Sequence, residues 1–276
     1  MEQKKTLLFA GDVHGYIPTF IHRLVDELHY QHADCVVCGD FGIGFDNSWD
    51  NVYQRISKKL EKNDIHIWVV RGNHDNPEYF EHEEKYSKEH VTFMEDYKVY
   101  TINGVEILPI GGATSHDRKI RLEKGWSWWD GEKIKRVELK TLPVKVDVIV
   151  THQAPLVFDP INTKTDLDDD SIYEEELEER KYLNEIAFNV KAKNWYYGHY
   201  HYHYAGKFKD INYTCLGIVR ETVNRKDCQD SLKEAIGCEG NEIIIEKNYP
   251  EIVMYTNHEA EEDYYNSLFG EGDDNP

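Results

Sequence analysis

Three short apolar runs near the start of the chain alternate with two segments of helical periodicity. The apolar runs cover residues 6–10, 34–38 and 65–70, and runs of this length are typical of buried strands. Between them, apolar side chains recur three and four residues apart, first over residues 17–28 and then over residues 49–60. This order predicts an α/β fold with parallel strands and helices on the outside, because parallel neighbours must be joined by crossovers.

The middle of the chain predicts a hairpin followed by a helix. Residues 98–102 and 105–110 predict two antiparallel strands, because the Asn-Gly pair between them is a strong turn signal. From Trp126 onwards we predict a helical stretch that runs towards Leu142. Further strands are predicted at residues 146–150, 194–197, 204–208, 213–218, 242–245 and 252–255.

The segment from residue 166 to residue 180 is strongly acidic. Within it, Ser171 and Glu174 have the spacing of a capping box, which predicts a helix that starts at Ser171. Solvated charge is the common explanation for such an acidic helix, although a partner surface is an alternative. We expect the whole chain to divide into a main domain at residues 1–220, an extension that packs on it at 221–256, and an acidic, partly disordered tail at 257–276.

The charge of the chain limits its partners. There are 52 acidic and 32 basic side chains, which give a formal net charge of −20. Such a field repels nucleic-acid backbones and anionic membranes at long range, so we expect neither an extended nucleic-acid footprint nor a membrane partner. A small anionic substrate is compatible with this charge, because bound divalent cations reverse the local sign.

The cysteines predict packing rather than metal binding. Cys35 and Cys38 lie three residues apart in a predicted strand, so their side chains point to opposite faces and cannot hold one ion. Five cysteines in a chain of this length imply no disulfide framework. No apolar run is long enough for a signal peptide or a membrane span. We therefore expect a reducing, cytoplasmic location.

Five polar patches follow predicted strands and supply Asp, Asn or His. In an open parallel sheet, ligands bind at the carboxyl ends of the strands, where these patches lie. A single Gly-Asp is often only a turn, and a single histidine is usually a packing residue. The joint occurrence of all five predicts a metal site. The patches are Asp12-Val13-His14, Gly39-Asp40, Gly72-Asn73-His74-Asp75, Thr151-His152 and Gly198-His199-Tyr200-His201.

The donor atoms of these patches indicate which metals they hold. Carboxylate and amide oxygens combine with imidazole nitrogens and no thiolate, which suits two divalent ions such as Mn, or Fe, Zn or Ni, better than Ca or Mg. Two such cations about 3.5–4 Å apart can bind a phosphoryl group and acidify a water. His74 is next to a candidate ligand and is not needed as one, so we predict that it is the general acid, oriented by Asp75.

The order of the five patches resembles that of the calcineurin-like metallophosphoesterase superfamily. The resemblance covers the chain from Asp12 to His201. It implies a four-layer α/β/β/α sandwich with a dinuclear site at one edge of two sheets, and it implies the general-acid role of His74. The motifs around Gly39-Asp40-Phe41-Gly42 and residues 111–117 are further similar to small bacterial and phage phosphoesterases of unassigned substrate. The implied ligand sets are Asp12, His14, Asp40 and His201 for one ion, and Asp40, Asn73, His152 and His199 for the other.

One departure from the superfamily bears on the substrate. Serine/threonine protein phosphatases continue Gly-Asp-x-x-Asp-Arg-Gly, whereas Gly39-Asp40 continues here as Phe-Gly-Ile-Gly, which argues against a protein phosphatase. Arg71, just before the third patch, is a candidate phosphate contact. His116 and Arg118 are weaker candidates, and Arg118 is equally well explained as a solvated surface charge.

Three hypotheses remain open at this point. The leading one is a metal-dependent phosphomonoesterase or phosphodiesterase that acts on a small or flexible phosphoester. A nuclease or cyclic-nucleotide phosphodiesterase is an alternative within the same chemistry, although the acidic charge argues against a long duplex. A protein-binding scaffold without catalysis is an alternative of another class. Such scaffolds typically lose ligands, whereas every expected ligand is present here.

Overall fold

The computed structural model describes residues 5–45, 48–158, 170–219, 249–250 and 252–254. Within these ranges the chain alternates strands and helices. The strands are β1 (Thr6–Ala10), β2 (Ala33–Val37), β3 (Ile65–Val69), β4 (Val91–Phe93), β5 (Tyr100–Ile102), β6 (Val105–Ile110), β7 (Val148–Thr151), β8 (Asn194–Tyr197), β9 (Tyr204–Phe208), β10 (Ile211–Cys215), β11 (Ile218–Val219), β12 (Tyr249–Pro250) and β13 (Ile252–Met254).

The helices lie mainly between the strands. None of those formed by described residues is long and apolar enough to cross a bilayer. The first helix continues into a π-helical turn at Arg23–Glu27, and short 3₁₀ turns occur at Asp130–Glu132, Leu139–Thr141 and Leu156–Phe158. The α-helices are α1 (Ile17–His22), α2 (Trp49–Lys62), α3 (Glu78–Glu81), α4 (Glu83–Tyr86), α5 (Arg118–Glu123) and α6 (Asp170–Asn189).

The strands form two main sheets. The first has the order β13-β1-β2-β3-β4, in which β1 to β4 are parallel and β13 is antiparallel to β1. The second has the order β5-β6-β7-β8-β10-β9, with four parallel strands between two antiparallel edge strands. Parallel strands direct their carboxyl ends to one edge of each sheet, which is where the five polar patches begin.

Three apolar cores separate four layers. One core lies between the first sheet and helices α1 and α2, and another lies between the second sheet and α6. The third lies between the two sheets, where Phe9 of β1 stacks on Tyr196 of β8 with ring centroids 4.1 Å apart. The α/β/β/α sandwich that the sequence predicts is thereby confirmed.

Several local predictions are confirmed by the packing. Cys35 belongs to the core under the helices and Cys38 to the core between the sheets, so the two thiols do face opposite ways. The predicted hairpin is formed by β5 and β6. Asn103 and Gly104 at its turn have φ angles of 54° and 80°, values that glycine adopts without strain and asparagine tolerates.

The predicted helix between Trp126 and Leu142 is wrong. The only helical turns in the segment are the two short 3₁₀ turns, and several of its backbone carbonyls bond to a distant side chain. The carbonyl oxygens of Gly131, Glu132 and Lys133 accept hydrogen bonds from the Arg71 guanidinium, at distances of 2.8–3.1 Å. Carbonyls that receive a buried arginine are not available to helical amides, so tertiary contacts override the local tendency.

The acidic helix is present, but it begins at Asp170 rather than at Ser171. The predicted strand at residues 213–218 is displaced and divided between β10 and the two-residue β11. The predicted strand at residues 242–245, most of the predicted extension and the predicted acidic tail lie outside the described residues. The domain boundaries at residues 220 and 256 therefore stay predictions.

Candidate metal centre

Four of the predicted ligand residues occupy a strained backbone conformation. The φ angles of His14, Asp40, His199 and His201 are 47°, 49°, 72° and 59°. A positive φ costs a residue with a Cβ on the order of 1 kcal/mol or more, and it persists where the surrounding structure requires it. Each of these residues turns the chain sharply just after a strand, and the turn directs its side chain towards the edge where the two sheets meet.

The first predicted ligand set converges on one point. Facing donor atoms of Asp12, His14, Asp40 and His201 all lie within 4.8 Å of one another. The Nε2 atom of His201 is 2.9 Å from Nε2 of His14 and 2.9 Å from Oδ2 of Asp12. Donors that surround a transition metal at about 2.0–2.2 Å are roughly 3 Å apart, so this spacing fits a divalent cation.

The second predicted set lies on the other side of Asp40. The Nε2 atom of His152 is 3.0 Å from Oδ1 of Asn73 and 3.2 Å from Oδ1 of Asp40. The Nδ1–H of His152 donates to the carbonyl oxygen of Cys38 at 2.8 Å, which directs Nε2 towards the centre. The ring of His199 lies beside that of His152, with centroids 5.0 Å apart. Three members of this set are thus brought together, with His199 beside them, and metal ligation by all four stays a prediction.

Burial and charge act against each other in this cluster. Burial raises the pKa of Asp12, but hydrogen bonds from His14 and His201 outweigh it and hold that pKa well below the usual range. Burial likewise opposes ionisation of Asp40, whose pKa is nevertheless lowered by His152 and His74. Burial disfavours the charged form of His152, but the negative charge of Asp40 raises its pKa to about 9. Protons on these imidazoles occupy the same positions that a cation needs, so the two compete.

Three of the five ligand motifs contain a glycine that makes room for a ligand of another motif. A Cβ atom at Gly39 would collide with the His152 ring, one at Gly72 with the Asp40 carboxylate, and one at Gly198 with the Asp12 carboxylate. The glycines are therefore part of the centre, because only a residue without a side chain lets the backbone approach so closely.

The imidazole of His74 lies between two carboxylates. Its Nδ1 atom is 2.9 Å from Oδ2 of Asp40, and its Nε2 atom is 3.0 Å from Oδ2 of Asp117. Burial disfavours the charged form of His74, but these two carboxylates raise its pKa well above the usual value. Burial opposes ionisation of Asp117, while His74 lowers its pKa below the usual value. The two carboxylates thus favour the protonated form of His74 beside the candidate ligands.

The prediction that Asp75 orients His74 needs correction. The Asp75 carboxylate is fully buried and accepts hydrogen bonds from the backbone N–H groups of four residues. Among the described residues, the carboxylates bonded to the His74 ring are those of Asp40 and Asp117. Asp75 instead fixes the loop after β2 to the loop after β3, and thereby holds Asp40 and Asn73 in place. The backbone N–H groups that donate to the Asp75 carboxylate are those of Phe41, Gly42, Ile43 and Gly72, at 2.7–3.2 Å.

Arg71 is also placed differently from the prediction. Its side chain is 1% exposed, and both terminal nitrogens of its guanidinium are bonded to protein groups. It pairs with Asp96 at 2.9 Å and donates to backbone carbonyls of residues 111 and 131–133. A guanidinium that has used its donors in this way cannot bind a phosphate, so the prediction of a substrate contact is wrong for this residue.

Of the two weaker candidates, His116 lies beside a predicted ligand, whereas the contacts of Arg118 are elsewhere. The His116 ring centroid is 6.1 Å from that of His199, and its Nε2 atom is 3.2 Å from a carboxylate oxygen of Glu176. Arg118 pairs with Glu175 at 2.5 Å and lies 5.3 Å from the centroid of the Trp128 ring. Arg118 is thus engaged by protein groups, whereas contact of either residue with substrate stays a prediction.

A network that the sequence did not suggest supports Asn73. The Asn73 amide nitrogen donates to Ser115 Oγ at 3.2 Å, and Ser115 in turn donates to the buried carboxylate of Glu132. Glu132 forms a buried ion pair with Arg121, whose Nη2 lies 2.5 Å from Oε1. Because the amide nitrogen faces Ser115, the amide oxygen of Asn73 faces His152. In the sequence, residues 114–118 are recognisable only as a polar loop. That pattern does not show which side chains Ser115 contacts.

Comparison with known proteins agrees with this geometry. A family model described as calcineurin-like phosphoesterase matches residues 5–203. No curated protein matches the chain. Among solved structures, the phosphopantetheinyl hydrolase PptH from Mycobacterium tuberculosis is similar at 15% identity, with 79% of this chain and 91% of that chain covered and a TM-score of 0.45. An archaeal phosphodiesterase is similar at 14% identity, with 77% and 83% covered and a TM-score of 0.33.

The two structural likenesses are weak, so the assignment rests on the family match and on the site. The match spans every predicted ligand, and the donor set of carboxylate, amide and imidazole groups fits divalent cations. The chain belongs to the calcineurin-like phosphoesterase family and is a hydrolase that acts on phosphoester bonds.

Proposed function

We propose that the protein hydrolyses a small or flexible phosphomonoester or phosphodiester at a dinuclear metal centre. The observation that carries this proposal is the position of Asp40. One of its carboxylate oxygens is 3.5 Å from His14 in the first ligand set, and the other is 3.2 Å from His152 in the second. A shared, buried carboxylate between two sets of nitrogen donors is the arrangement that a pair of cations requires.

The donor set favours Mn, with Fe, Zn or Ni as alternatives. Cations bound by Asp12, His14, Asp40 and His201, and by Asp40, Asn73, His152 and His199, would supply Lewis acidity to the phosphoryl oxygens and lower the pKa of a water. The buried carboxylates of Asp12 and Asp40 stay ionised and would offset the positive charge.

His74 would protonate the leaving group. In the hydrolysis, the water oxygen forms a bond to phosphorus, the ester P–O bond breaks, and the departing alkoxide takes a proton from the imidazole. Asp117 would orient this imidazole through Nε2, and Nδ1, which faces Asp40 at the edge of the metal centre, would donate the proton. Asp117, on the loop after β6, therefore has the positioning role that the sequence assigned to Asp75.

We further propose a cytoplasmic location. The thiols of Cys35 and Cys38 are free and buried, which fits a reducing compartment. The net charge of −20 favours a small substrate over an extended nucleic acid.

The proposal is tested by activity of metal-loaded protein. Protein repleted with Mn²⁺, and shown by elemental analysis to contain two ions per chain, is expected to hydrolyse p-nitrophenyl phosphate or bis(p-nitrophenyl) phosphate. The same assay with Zn²⁺, Fe²⁺ and Ni²⁺ ranks the metals, and a short oligonucleotide tests for nuclease activity. Fully loaded protein that hydrolyses none of these esters with any metal would contradict the proposal. Protein that retains no metal after repletion would favour the scaffold hypothesis.

A further inference from the structure

Aromatic side chains that the proposed reaction does not use lie next to the general acid. The ring centroid of Phe45 is 6.3 Å from that of His74, with an interplanar angle of 32°. The edge of Trp129 meets Phe45 with centroids 5.1 Å apart. Phe45 keeps 36% of its surface exposed, so it is not a core residue. We call Phe45 and Trp129 together the aromatic wall.

The aromatic wall is held from behind by a buried arginine. The guanidinium carbon of Arg121 is 5.5 Å from the centroid of the Phe45 ring and 5.8 Å from that of Trp129. Arg121 is itself fixed by the buried carboxylate of Glu132 and by the carbonyl oxygen of Ser127 at 2.8 Å. The same Glu132 accepts a hydrogen bond from the backbone N–H of Trp129 at 3.1 Å. A surface fixed in this way loses little conformational freedom when it binds a ligand.

The carboxylate of Glu132 also connects the aromatic wall to the metal centre. Glu132 accepts a hydrogen bond from Ser115, and Ser115 accepts one from the amide of the candidate ligand Asn73. One buried network therefore fixes both the position of a ligand and the position of the wall.

We propose that the aromatic wall binds the leaving group of the substrate and selects phosphoesters whose alcohol carries a planar aromatic or heteroaromatic ring. The inference rests on the proposed function in one respect, which is that His74 donates the proton. A general acid must lie within hydrogen-bond reach of the leaving oxygen, so the group attached to that oxygen is on the His74 side of the centre. Aromatic pairs favour centroid separations of about 4.5–7 Å, which a ring one or two carbons from this oxygen can reach at Phe45.

The kinetic test uses two esters that differ only in the ring. The monoesters 2-phenylethyl phosphate and 2-cyclohexylethyl phosphate, or their methyl diesters, have primary alkoxide leaving groups of similar basicity. With Mn²⁺-loaded protein, kcat/KM is expected to be about tenfold higher for the phenyl ester, since stacking on an aromatic side chain is worth roughly that factor or more. Phe45→Leu and Trp129→Leu should each reduce this preference towards unity, and Phe45→Tyr should retain it. Phe188→Ala, which removes a phenylalanine of 56% exposure on α6, is the matched control.

A binding test separates this inference from the proposed function. The phosphonates 3-phenylpropylphosphonate and 3-cyclohexylpropylphosphonate have the ester oxygen replaced by a methylene group, and their binding is measured by calorimetry. Preferential binding of the phenyl compound that is lost in Phe45→Leu would support the wall even if no ester is hydrolysed. Equal binding of both compounds, or equal kcat/KM for both esters in the wild type, would overturn it and leave the proposed hydrolysis intact.

Discussion

Asp40 contacts both candidate ligand sets and the candidate general acid. Its Oδ1 atom accepts a hydrogen bond from the backbone N–H of His74 at 2.8 Å, and its Oδ2 atom is 2.9 Å from the ring of the same histidine. The left-handed φ of 49° at Asp40 is what places its carboxylate between the two ligand sets. At the residue scale, the centre therefore links the candidate general acid directly to the candidate bridging ligand.

Replacement of His74 by alanine tests the proton donor. Its loss is expected to reduce kcat for alkyl phosphoesters by about 10²–10⁴, the usual contribution of a general acid. p-Nitrophenyl esters should lose much less, because nitrophenolate leaves without protonation. His82→Ala, at an exposed histidine between α3 and α4, is the control and should change neither rate. Equal losses for the two classes of ester would argue against the role of His74.

Replacement of Asp117 by asparagine tests the positioning of that donor. Burial disfavours the charged imidazole of His74, and the Asp40 and Asp117 carboxylates raise its pKa, so removal of one negative charge is expected to lower that pKa. The basic limb of the pH profile of kcat should then move to lower pH, with a loss of about tenfold for alkyl esters. Asp130→Asn, at an exposed residue, is the control. An unchanged basic limb in Asp117→Asn would contradict the assignment.

The candidate ligands could be predicted from sequence because each follows a strand directly. A residue just after a parallel strand has little choice of location, and all such residues meet at one edge of the sheets. Asp117 and Ser115 belong to a longer polar loop after β6, and their partners depend on how the sheets pack. Arg71 was wrongly predicted for a related reason. Its position two residues before Asn73 in the sequence does not determine the direction of its side chain.

At the element scale, two segments without regular structure of their own depend on buried charges. Arg71 holds the carbonyls of residues 131–133, and Glu179 of α6 accepts hydrogen bonds from the backbone N–H groups of Thr114 and Ile134 at 2.8 and 2.9 Å. Helix α6 was predicted as a solvated acidic helix, yet Glu176 and Glu179 are buried. The helix could be predicted from its pattern, but its binding of a distant loop could not, since hydropathy does not distinguish a solvated carboxylate from one that accepts buried hydrogen bonds.

Replacement of Arg71 by alanine is expected to destabilise the fold rather than to weaken substrate binding. Removal of one partner of a buried, fully bonded ion pair costs about 3–5 kcal/mol, because Asp96 and several carbonyls lose their partner. In a domain of this size the melting temperature should fall by roughly 10 °C. Arg136→Ala, at an exposed arginine, should change the melting temperature by little. A raised KM with an unchanged melting temperature in Arg71→Ala would restore the role of a phosphate contact.

At the scale of the whole molecule, the chain has an excess of acidic groups, and the centre contains buried carboxylates. The stability of the fold therefore depends on the positive charges that balance these carboxylates. Burial disfavours the charged form of His152, and Asp40 raises its pKa to about 9, well above the usual 6.5. A group whose folded pKa is raised stabilises the fold fully below its unfolded pKa, and this stabilisation is lost as the pH rises through the folded value. Protonated imidazoles and divalent cations are thus alternative ways of balancing Asp12 and Asp40.

This competition predicts opposite pH trends with and without metal. In EDTA, the melting temperature is expected to fall as the pH rises from 6.5 towards 9, because His152 loses the proton that stabilises the buried carboxylates. With Mn²⁺, the metal-induced increase should grow over the same interval, since the cation needs the neutral imidazole. At a free concentration of 100 times Kd the increase corresponds to about 2.7 kcal/mol. Melting curves at half-unit steps of pH check both trends, and His152→Asn, which keeps a polar group but no titrating imidazole, should flatten them. A metal-induced increase that is constant across this interval would show that His152 does not exchange a proton for a cation, and would remove it from the ligand set.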